Sequence, residues 1–469
     1  MPSAANVIAK LNSRRDPLAD MDSQTGDQGG VTLTPHQQVA YDQIREFVGN
    51  DSSTGPFVAV LEGYAGTGKT TLVGKMVREL GYPLGREVAI AAPTNKAVSV
   101  LSRKIDVPGV EARTIHSLLG QTVSSDDNGQ KSARQVRTPE LERFDLIVMD
   151  ECSMISSPML RDIMEHRGPQ TRILFVGDPA QLPPVGEAIE SPVFRDIQLK
   201  FRLSEIVRQA ADNPIIAMTM PIRQAIEEQR RVTLEEIAAV IPSGATQACI
   251  LGGGMQNVQS IAAYEQHRGT DCRIVAFRNS RVHAYNAALH TALHGAGTGG
   301  LEFSPGERVM VQQEFRCLDG RRIYNGEELV FEGATKAQDE LEHDAWHATF
   351  RRDDGSTVRA VIPTRSADIE RAIKALWKRR RPLAARGRKD DAEARKEASA
   401  IVDEIQRLED TFALLRHAYA ITSHKSQGST YHTVLVDWGD LSAMSSDFEF
   451  NRGLYVAASR ASNHMAIIT

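Results

Sequence analysis

The 469 residues predict an α/β protein of two tandem domains, each a parallel sheet flanked by helices. Three observations predict it. Short apolar or β-branched runs at 57–61, 88–92, 146–149 and 172–176 are each followed by polar loops or helical patterns, as in a sheet whose strands return through helices. A second set follows at 273–277, 433–436 and 464–468. The length also exceeds the size at which one hydrophobic core stops growing, so a second core is expected.

In chain order, residues 1–30 read as a disordered tail, rich in Ser, Asp, Gln and Gly and without an apolar signal core. Order is predicted from Val31. In LTPHQQVAYDQIREFV, Thr34 is an N-cap, Pro35 takes the first helical position, and apolar residues recur at helical spacing. The first domain spans 31–198. Within it, 121–139 is polar and holds Asp127, Asn128 and Gly129 between runs able to pair, which predicts a projecting hairpin turning near Asn128 and Gly129. The second domain begins at 199 and is interrupted after 308. Short alternating stretches from 309 to 364 predict a small β-barrel, and 366–416 is strongly helical and charged, an exposed arm. Residues 417–469 complete the domain. On the arm, Arg371, Lys374, Lys378, Arg379, Arg380, Arg381, Arg386, Arg388 and Lys389 concentrate positive charge, and acids from Asp390 onward offset it. A solvated face is the expectation there, ahead of a nucleic-acid contact.

With 41% hydrophobic and 25% charged residues and a formal net charge of -5, the composition excludes a globally basic nucleic-acid binder. Any such surface must be a local groove of Lys and Arg. Cys152, Cys249, Cys272 and Cys317 form no C-x-x-C pair and have no His companion at zinc spacing, so they read as reduced thiols. No stretch reaches the length that crosses a bilayer, and a cytoplasmic setting without membrane contact is expected.

The chemistry begins at GYAGTGKTT, Gly63 to Thr71, which leaves an apolar strand and opens a helix. The G-x-x-x-x-G-K-T spacing places Gly63 and Gly68 where backbone must curl close to an anion. Lys69 can then reach β- and γ-phosphates, and Thr70 can hold magnesium. A nucleoside triphosphate is the implied ligand, with Ala65, Gly66, Thr67 and Thr71 completing the cradle. After the strand DLIVM come Asp150 and Glu151, at the strand end where an α/β sheet holds its ligands. Asp150 can hold magnesium and Glu151 can accept a proton from attacking water. Gly177, Asp178 and Gln181 follow the next strand, where a polar side chain could touch a γ-phosphate.

Taken in order, these segments resemble the superfamily 1 helicases. LTPHQ carries Gln37, which resembles the glutamine that reads adenine. APTNKA, with Pro93, Thr94 and Asn95, resembles motif Ia; TIHSLLG, with His116, resembles motif Ib; MDECSM resembles motif II and GDPAQLPPV motif III. SEIVRQA resembles the segment whose arginine, here Arg208, touches the γ-phosphate. ITSHKSQGST, with Thr422, His424 and Lys425, resembles motif V, and YVAASRA, with Arg460, motif VI. The resemblance is strongest to the 5′-to-3′ branch that includes RecD and the Dda helicases of T-even phages.

The resemblance implies two RecA-like domains, with a hairpin inserted in the first and a small Src-homology-like β-barrel plus helical arm in the second. It implies ATP and Mg2+ in the cleft, with Arg208 and Arg460 arriving across it, and Lys69, Glu151, Arg208 and Arg460 as catalytic residues. It also implies single-stranded DNA and duplex junctions as partners, a monomer, single-strand-binding or replication proteins as possible associates, and a bacterial or phage-infected cell. Pro93, Thr94, Asn95, His116, Thr422, His424 and Lys425 would touch the strand. The 121–139 hairpin departs from the pattern in lacking an aromatic residue to stack on a base pair. The residues alone leave an RNA or RNA:DNA-hybrid motor open, and also a non-motor module switched by nucleotide.

Overall fold

The computed structural model describes residues 32–49, 55–80, 87–125, 131–206, 213–245, 247–252, 260, 262, 271–295, 301–337, 344–387 and 391–469. The tail read at 1–30, the turn at Asn128 and Gly129, and Arg208, Arg388 and Lys389 lie outside them. Described residues of 1–122, 135–282 and 421–469 form one compact unit, and those of 123–134 and 283–420 a second.

In the first unit the chain opens with α1 (Pro35–Gly49), β1 (Val58–Gly63), α2 (Lys69–Leu80), β2 (Val88–Ala92), α3 (Asn95–Ile105), β3 (Glu111–Thr114) and α4 (Ile115–Leu118). The hairpin strands β4 (Gln121–Ser125) and β5 (Lys131–Gln135) pair with each other. Then come β6 (Leu146–Met149), α5 (Ser157–His166), β7 (Arg172–Gly177), α6 (Pro192–Asp196) and β8 (Lys200–Leu203). Six strands make one parallel sheet in the order β3-β2-β6-β7-β1-β8.

Side chains alternate across that sheet with the period of two that a strand imposes. Leu61, Leu146, Val148, Leu174 and Val176 pack with Ile44, Leu72, Met76 and Leu101 of α1 to α3. Val60, Ile147, Met149, Ile173 and Phe175 pack on the other face with Leu118, Ile163 and Phe194 of α4 to α6. Both faces are therefore covered, and the near-continuous apolar strands follow from it.

The first domain does not end at 198. Lys200–Leu203 pairs with β1, and Phe201 and Leu203 join its core. As an edge strand, half of its residues are polar, so KFRL carries no apolar run to reveal it. The polar edge strand β3, EART, escapes notice for the same reason.

The chain continues through α7 (Pro214–Glu227), α8 (Leu234–Ala239), β9 (Ala248–Leu251), β10 (Cys272–Ala276) and α9 (Asn279–His294). In the second unit β11 (Arg308–Val311), β12 (Phe315–Arg316), β13 (Arg322–Ile323), β14 (Glu328–Lys336), β15 (Ala345–Arg351) and β16 (Thr357–Pro363) precede α10 (Ser366–Gly387), α11 (Ala392–Thr411) and β17 (Leu415–His417). A five-stranded sheet runs β16-β15-β14-β11-β17, with each neighbouring pair antiparallel. Its edges meet where the Ala413 N–H donates to the Val361 carbonyl at 2.8 Å, so the sheet curls around Val309, Leu329, Phe331, Phe350 and Val358.

Helices α10 and α11 pack through Ile369, Ile373, Ile401, Ile405 and Leu408. Their charges pair locally: Arg379 with Glu397 and Arg386 with Asp391, each at 2.8 Å. Among the described residues the arm thus carries its own counter-charges.

The chain returns to the first unit through β18 (Ala420–Thr422), α12 (Ser423–Ser426), β19 (Tyr431–Asp437), α13 (Trp438–Leu441), α14 (Asp447–Ala458) and β20 (Ala461–Ile468). A second sheet runs β18-β10-β19-β20-β9, with β10, β19, β20 and β9 parallel. No helix among the described residues is long and apolar enough to cross a membrane. All four cysteines are free.

Candidate active site

Because the strands of the first sheet are parallel, the loops after β1, β2, β6 and β7 all leave one edge, and the sequence places its polar groups in those loops. The phosphate loop follows β1. Gly66 and Gly68 both take φ of 83°, a left-handed backbone open to glycine at little cost. The Lys69 ammonium folds over the loop and donates to the carbonyls of Gly63 at 2.5 Å and Tyr64 at 3.0 Å. Thr70 lies in the first turn of α2 behind it.

Gln37 is anchored to this loop. Its amide donates to the Thr67 carbonyl at 3.0 Å, while its oxygen accepts the Thr34 N–H at 3.0 Å. In this arrangement Gln37 ties α1 to the phosphate loop, and the Thr34 hydroxyl caps the helix by accepting the Gln37 N–H at 3.2 Å.

Asp150 and Glu151 follow β6. The Glu151 N–H donates to Asp150 Oδ1 at 2.8 Å. Burial and then the Glu151 charge push the Asp150 carboxyl up to about 6, with the Glu151 N–H and Lys69 pulling the other way. A carboxylate so placed fits a cation. Glu151 holds φ of 54°, left-handed without being glycine, a conformation that costs about 1 kcal/mol and concentrates at functional sites.

Asp178, after β7, is fully buried, and its Oδ1 accepts the Ala180 N–H at 2.9 Å. Gln181 is buried with Oε1 lacking a hydrogen-bond partner. A buried, unsatisfied acceptor costs free energy unless a ligand or water meets it.

Groups from the helices of the second sheet reach the same loops. The Tyr455 hydroxyl, on α14, accepts the Ala65 N–H at 2.9 Å and donates to Asp178 Oδ2 at 2.6 Å. Burial and Asp178 push that phenol well above its usual value, so it stays protonated. Arg223, on α7, donates to the Ala65 carbonyl at 3.2 Å and stacks over the rings of Tyr64 and Tyr455, 4.6 and 5.5 Å from their centroids. Arg452 donates to the Gln181 carbonyl at 3.3 Å and to that of Pro179.

Sequence reading missed all three. Arg223 is a single basic residue in a helix without a motif, and only tertiary packing brings it to the loop. Tyr455 opens the segment YVAASRA and Arg452 lies three residues before it, so the place of that segment in the chain was the one available signal.

Arg460 is buried, and its bonds go to the carbonyls of Val456 at 3.2 Å and Ser429 at 3.3 Å and to Ser459 Oγ at 2.9 Å. It is thus held by its own neighbourhood in this structure. Ser429 nevertheless follows Gly428, where an added Cβ would lie 3.9 Å from Glu151 Oε1 and 3.2 Å from the Ala97 Cβ. Arg208 lies outside the described residues.

The expected strand contacts share one local design. Thr94 ends the β2 loop and caps α3 by accepting the Ala97 N–H at 3.2 Å, with Pro93 before it and Asn95 opening the helix. Thr422 ends β18 and caps α12 by accepting the Lys425 N–H at 3.3 Å. His116 lies on α4 behind the Thr114 cap. Burial lowers the His424 imidazole below its usual value, which favours the neutral ring.

An AAA domain family matches residues 35–240, and a UvrD-like helicase C-terminal domain matches 417–468. The chain belongs to the superfamily 1 helicases. This helicase-family chain is 36% identical over 166 residues to the ATP-dependent RecD2 DNA helicase of Deinococcus radiodurans, covering 35% of the chain and 22% of that protein. It is 29% identical over 283 residues to the ATP-dependent DNA helicase Dda of Enterobacteria phage T4, covering 58% of the chain and 61% of that protein. It therefore spans less than two thirds of either. The Pif1 helicase from Bacteroides, solved with ADP-AlF3 and single-stranded DNA, shares the helicase fold at a TM-score of 0.53 and 17% identity, covering 93% of this chain and 92% of that one.

Proposed function

We propose that the chain is an ATP-driven DNA helicase that moves 5′ to 3′ on single-stranded DNA and opens duplex junctions. The observation that carries this reading is the meeting of two sheets at one phosphate loop: Lys69, Asp150 and Glu151 lie on the first, while Arg223 and Tyr455 reach Ala65 from the helices of the second. A ligand held there is sensed by both halves, so cleavage of a terminal phosphate changes what holds them together. The relatives add DNA as substrate: RecD2 and Dda are named ATP-dependent DNA helicases, and Pif1 was solved with single-stranded DNA.

In this reading Lys69 leaves the carbonyls of Gly63 and Tyr64 to meet the β- and γ-phosphates, and the N–H groups of the loop between Ala65 and Thr71 cradle them. Thr70 and Asp150 are the oxygen donors for a magnesium ion, which neutralises charge on the terminal phosphates when bound. Glu151 orients and deprotonates the attacking water, and Gln181 turns its unpaired Oε1 toward the same water. Arg460, with Arg208, balances charge developing on the phosphate, a contribution of about a thousandfold or more in rate. Pro93, Thr94, Asn95 and His116 grip the strand from the first sheet, and Thr422, His424 and Lys425 from the second. The free thiols suit a cytosolic setting, and a monomer suffices for the cycle.

Two measurements test it. ATP turnover is expected to rise on addition of single-stranded DNA; turnover indifferent to DNA, or stimulated by RNA alone, overturns the substrate. Strand displacement is expected from duplexes with a 5′ overhang, and unwinding only from a 3′ overhang overturns the direction.

A further inference from the structure

Outside the nucleotide site, the second unit gathers imidazoles around one carboxylate. His290 and His294 stand one helical turn apart on α9, and the i, i+4 spacing puts both on one face. Glu307, in the turn that enters β11, has a side chain with no solvent exposure. Its oxygens both lie 3.2 Å from His290 Nδ1. One donor atom each from His290, His294 and Glu307 lies within 4.8 Å of the others.

We propose that His290, His294 and Glu307 form a binding site for a divalent transition-metal cation of the zinc class, clipping α9 to the turn before β11. Two imidazoles and a carboxylate are a donor set for such an ion, and a H-x-x-x-H pair on a helix presents two nitrogens to one point. A tetrahedral ion with bonds of about 2.0–2.1 Å sets its donors about 3.3 Å apart. The His290 to Glu307 separation already has that value, and His294 closes with a small movement at the end of α9.

The carboxylate is also held from behind. Its Oε1 accepts from His417 Nδ1 at 2.5 Å, and its Oε2 from the Ser304 N–H at 3.0 Å. Groups that orient a ligand in this way accompany metal sites. The Tyr419 hydroxyl stands 3.1 Å from His294 Nε2 and steadies that ring. His417 stacks on His290 with centroids 4.6 Å apart, which fixes the plane of the first ligand. Without an ion the same groups form a closed imidazole–carboxylate network, and this is the competing account.

The test uses the full chain, without nucleotide, stripped by chelator and titrated with Zn2+, then with Co2+ to read the visible spectrum of a tetrahedral site. About one ion per chain is expected to survive gel filtration, and zinc is expected to raise the Tm of the stripped protein. His294→Ala and Glu307→Gln are expected to abolish both effects. His417→Ala, which alters only a positioning residue, is expected to weaken binding by about 10- to 100-fold. If Glu307→Gln does not fold, His294→Ala carries the test, because it leaves the bonds from His290, His417 and Ser304 to Glu307 in place. A wild type that binds no zinc, or binding and Tm shift undiminished in His294→Ala, overturns the site in favour of the metal-free network.

Discussion

On the first sheet, the chemistry hangs from strand ends: Lys69 after β1, Asp150 and Glu151 after β6, Asp178 and Gln181 after β7. On the second, the groups that reach these loops come from helix faces: Arg223 on α7 and Tyr455 on α14 meet the phosphate loop, and Arg452 on α14 meets the loop after β7. The strand-end groups sit at fixed short distances from apolar runs, and a parallel sheet delivers every such loop to the same edge. Helix-face groups have no comparable local rule. Their arrival depends on how two sheets dock, so that half of the site is the half free to change when the docking changes.

Arg460→Ala is the strongest way to break this contrast. Turnover of ATP with saturating single-stranded DNA is expected to fall by about a thousandfold or more, with strand affinity in the absence of nucleotide unchanged. Arg460 now spends its hydrogen bonds on Val456, Ser429 and Ser459, so its contribution requires a rearrangement of the second sheet. A loss below tenfold would show that Arg460 only holds the Ser429 loop. Glu151→Gln probes the first sheet. It keeps the size and the left-handed backbone position but removes the proton acceptor, and turnover is expected to fall by about a hundredfold. ATP binding should persist, measured with a fluorescent analogue. Equal turnover in the variant would remove Glu151 from the water.

Arg223→Gln sharpens the comparison where sequence offered no signal. Its bond to the Ala65 carbonyl and its stacking on Tyr64 and Tyr455 shape the loop, so the KM for ATP is expected to rise about tenfold, the equivalent of about 1.4 kcal/mol, with kcat held within about twofold. A fall in kcat at constant KM would instead put the Arg223 guanidinium on the reacting phosphate.

What could be read beforehand divides along the same line. GYAGTGKTT and the Asp150–Glu151 pair were legible as strand-end loops because an apolar run leads directly into each. The central strands were legible because burial on both faces makes them apolar throughout. The edge strands β3 and β8 were not, since EART and KFRL keep polar residues on the face or edge left to solvent. Gln37 stood out through LTPHQ, but its partner, the Thr67 carbonyl, is 30 residues away in sequence. The pair His290 and His294 lay in view at helical spacing. What gives it meaning, Glu307 and His417, comes from other elements of the second unit.

The smallest expected effects compare two threonine caps. Thr94 caps the 11-residue α3, whereas Thr422 caps the four-residue α12 that carries His424 and Lys425. Replacing either by Ala removes a cap worth about 1 kcal/mol, but the consequence should differ. Helix α3 has Leu101 and Ile105 in the core to hold it, so Thr94→Ala is expected to lower Tm by a few degrees with little change in strand affinity. A single turn has almost no stability of its own, so Thr422→Ala should release the geometry of His424 and Lys425 and weaken binding of a labelled oligonucleotide about fivefold. Its Tm should move less than that of Thr94→Ala. If the two variants exchange these behaviours, the grip on the strand lies mainly on the first sheet, and α12 serves only to turn the chain from β18 toward β19.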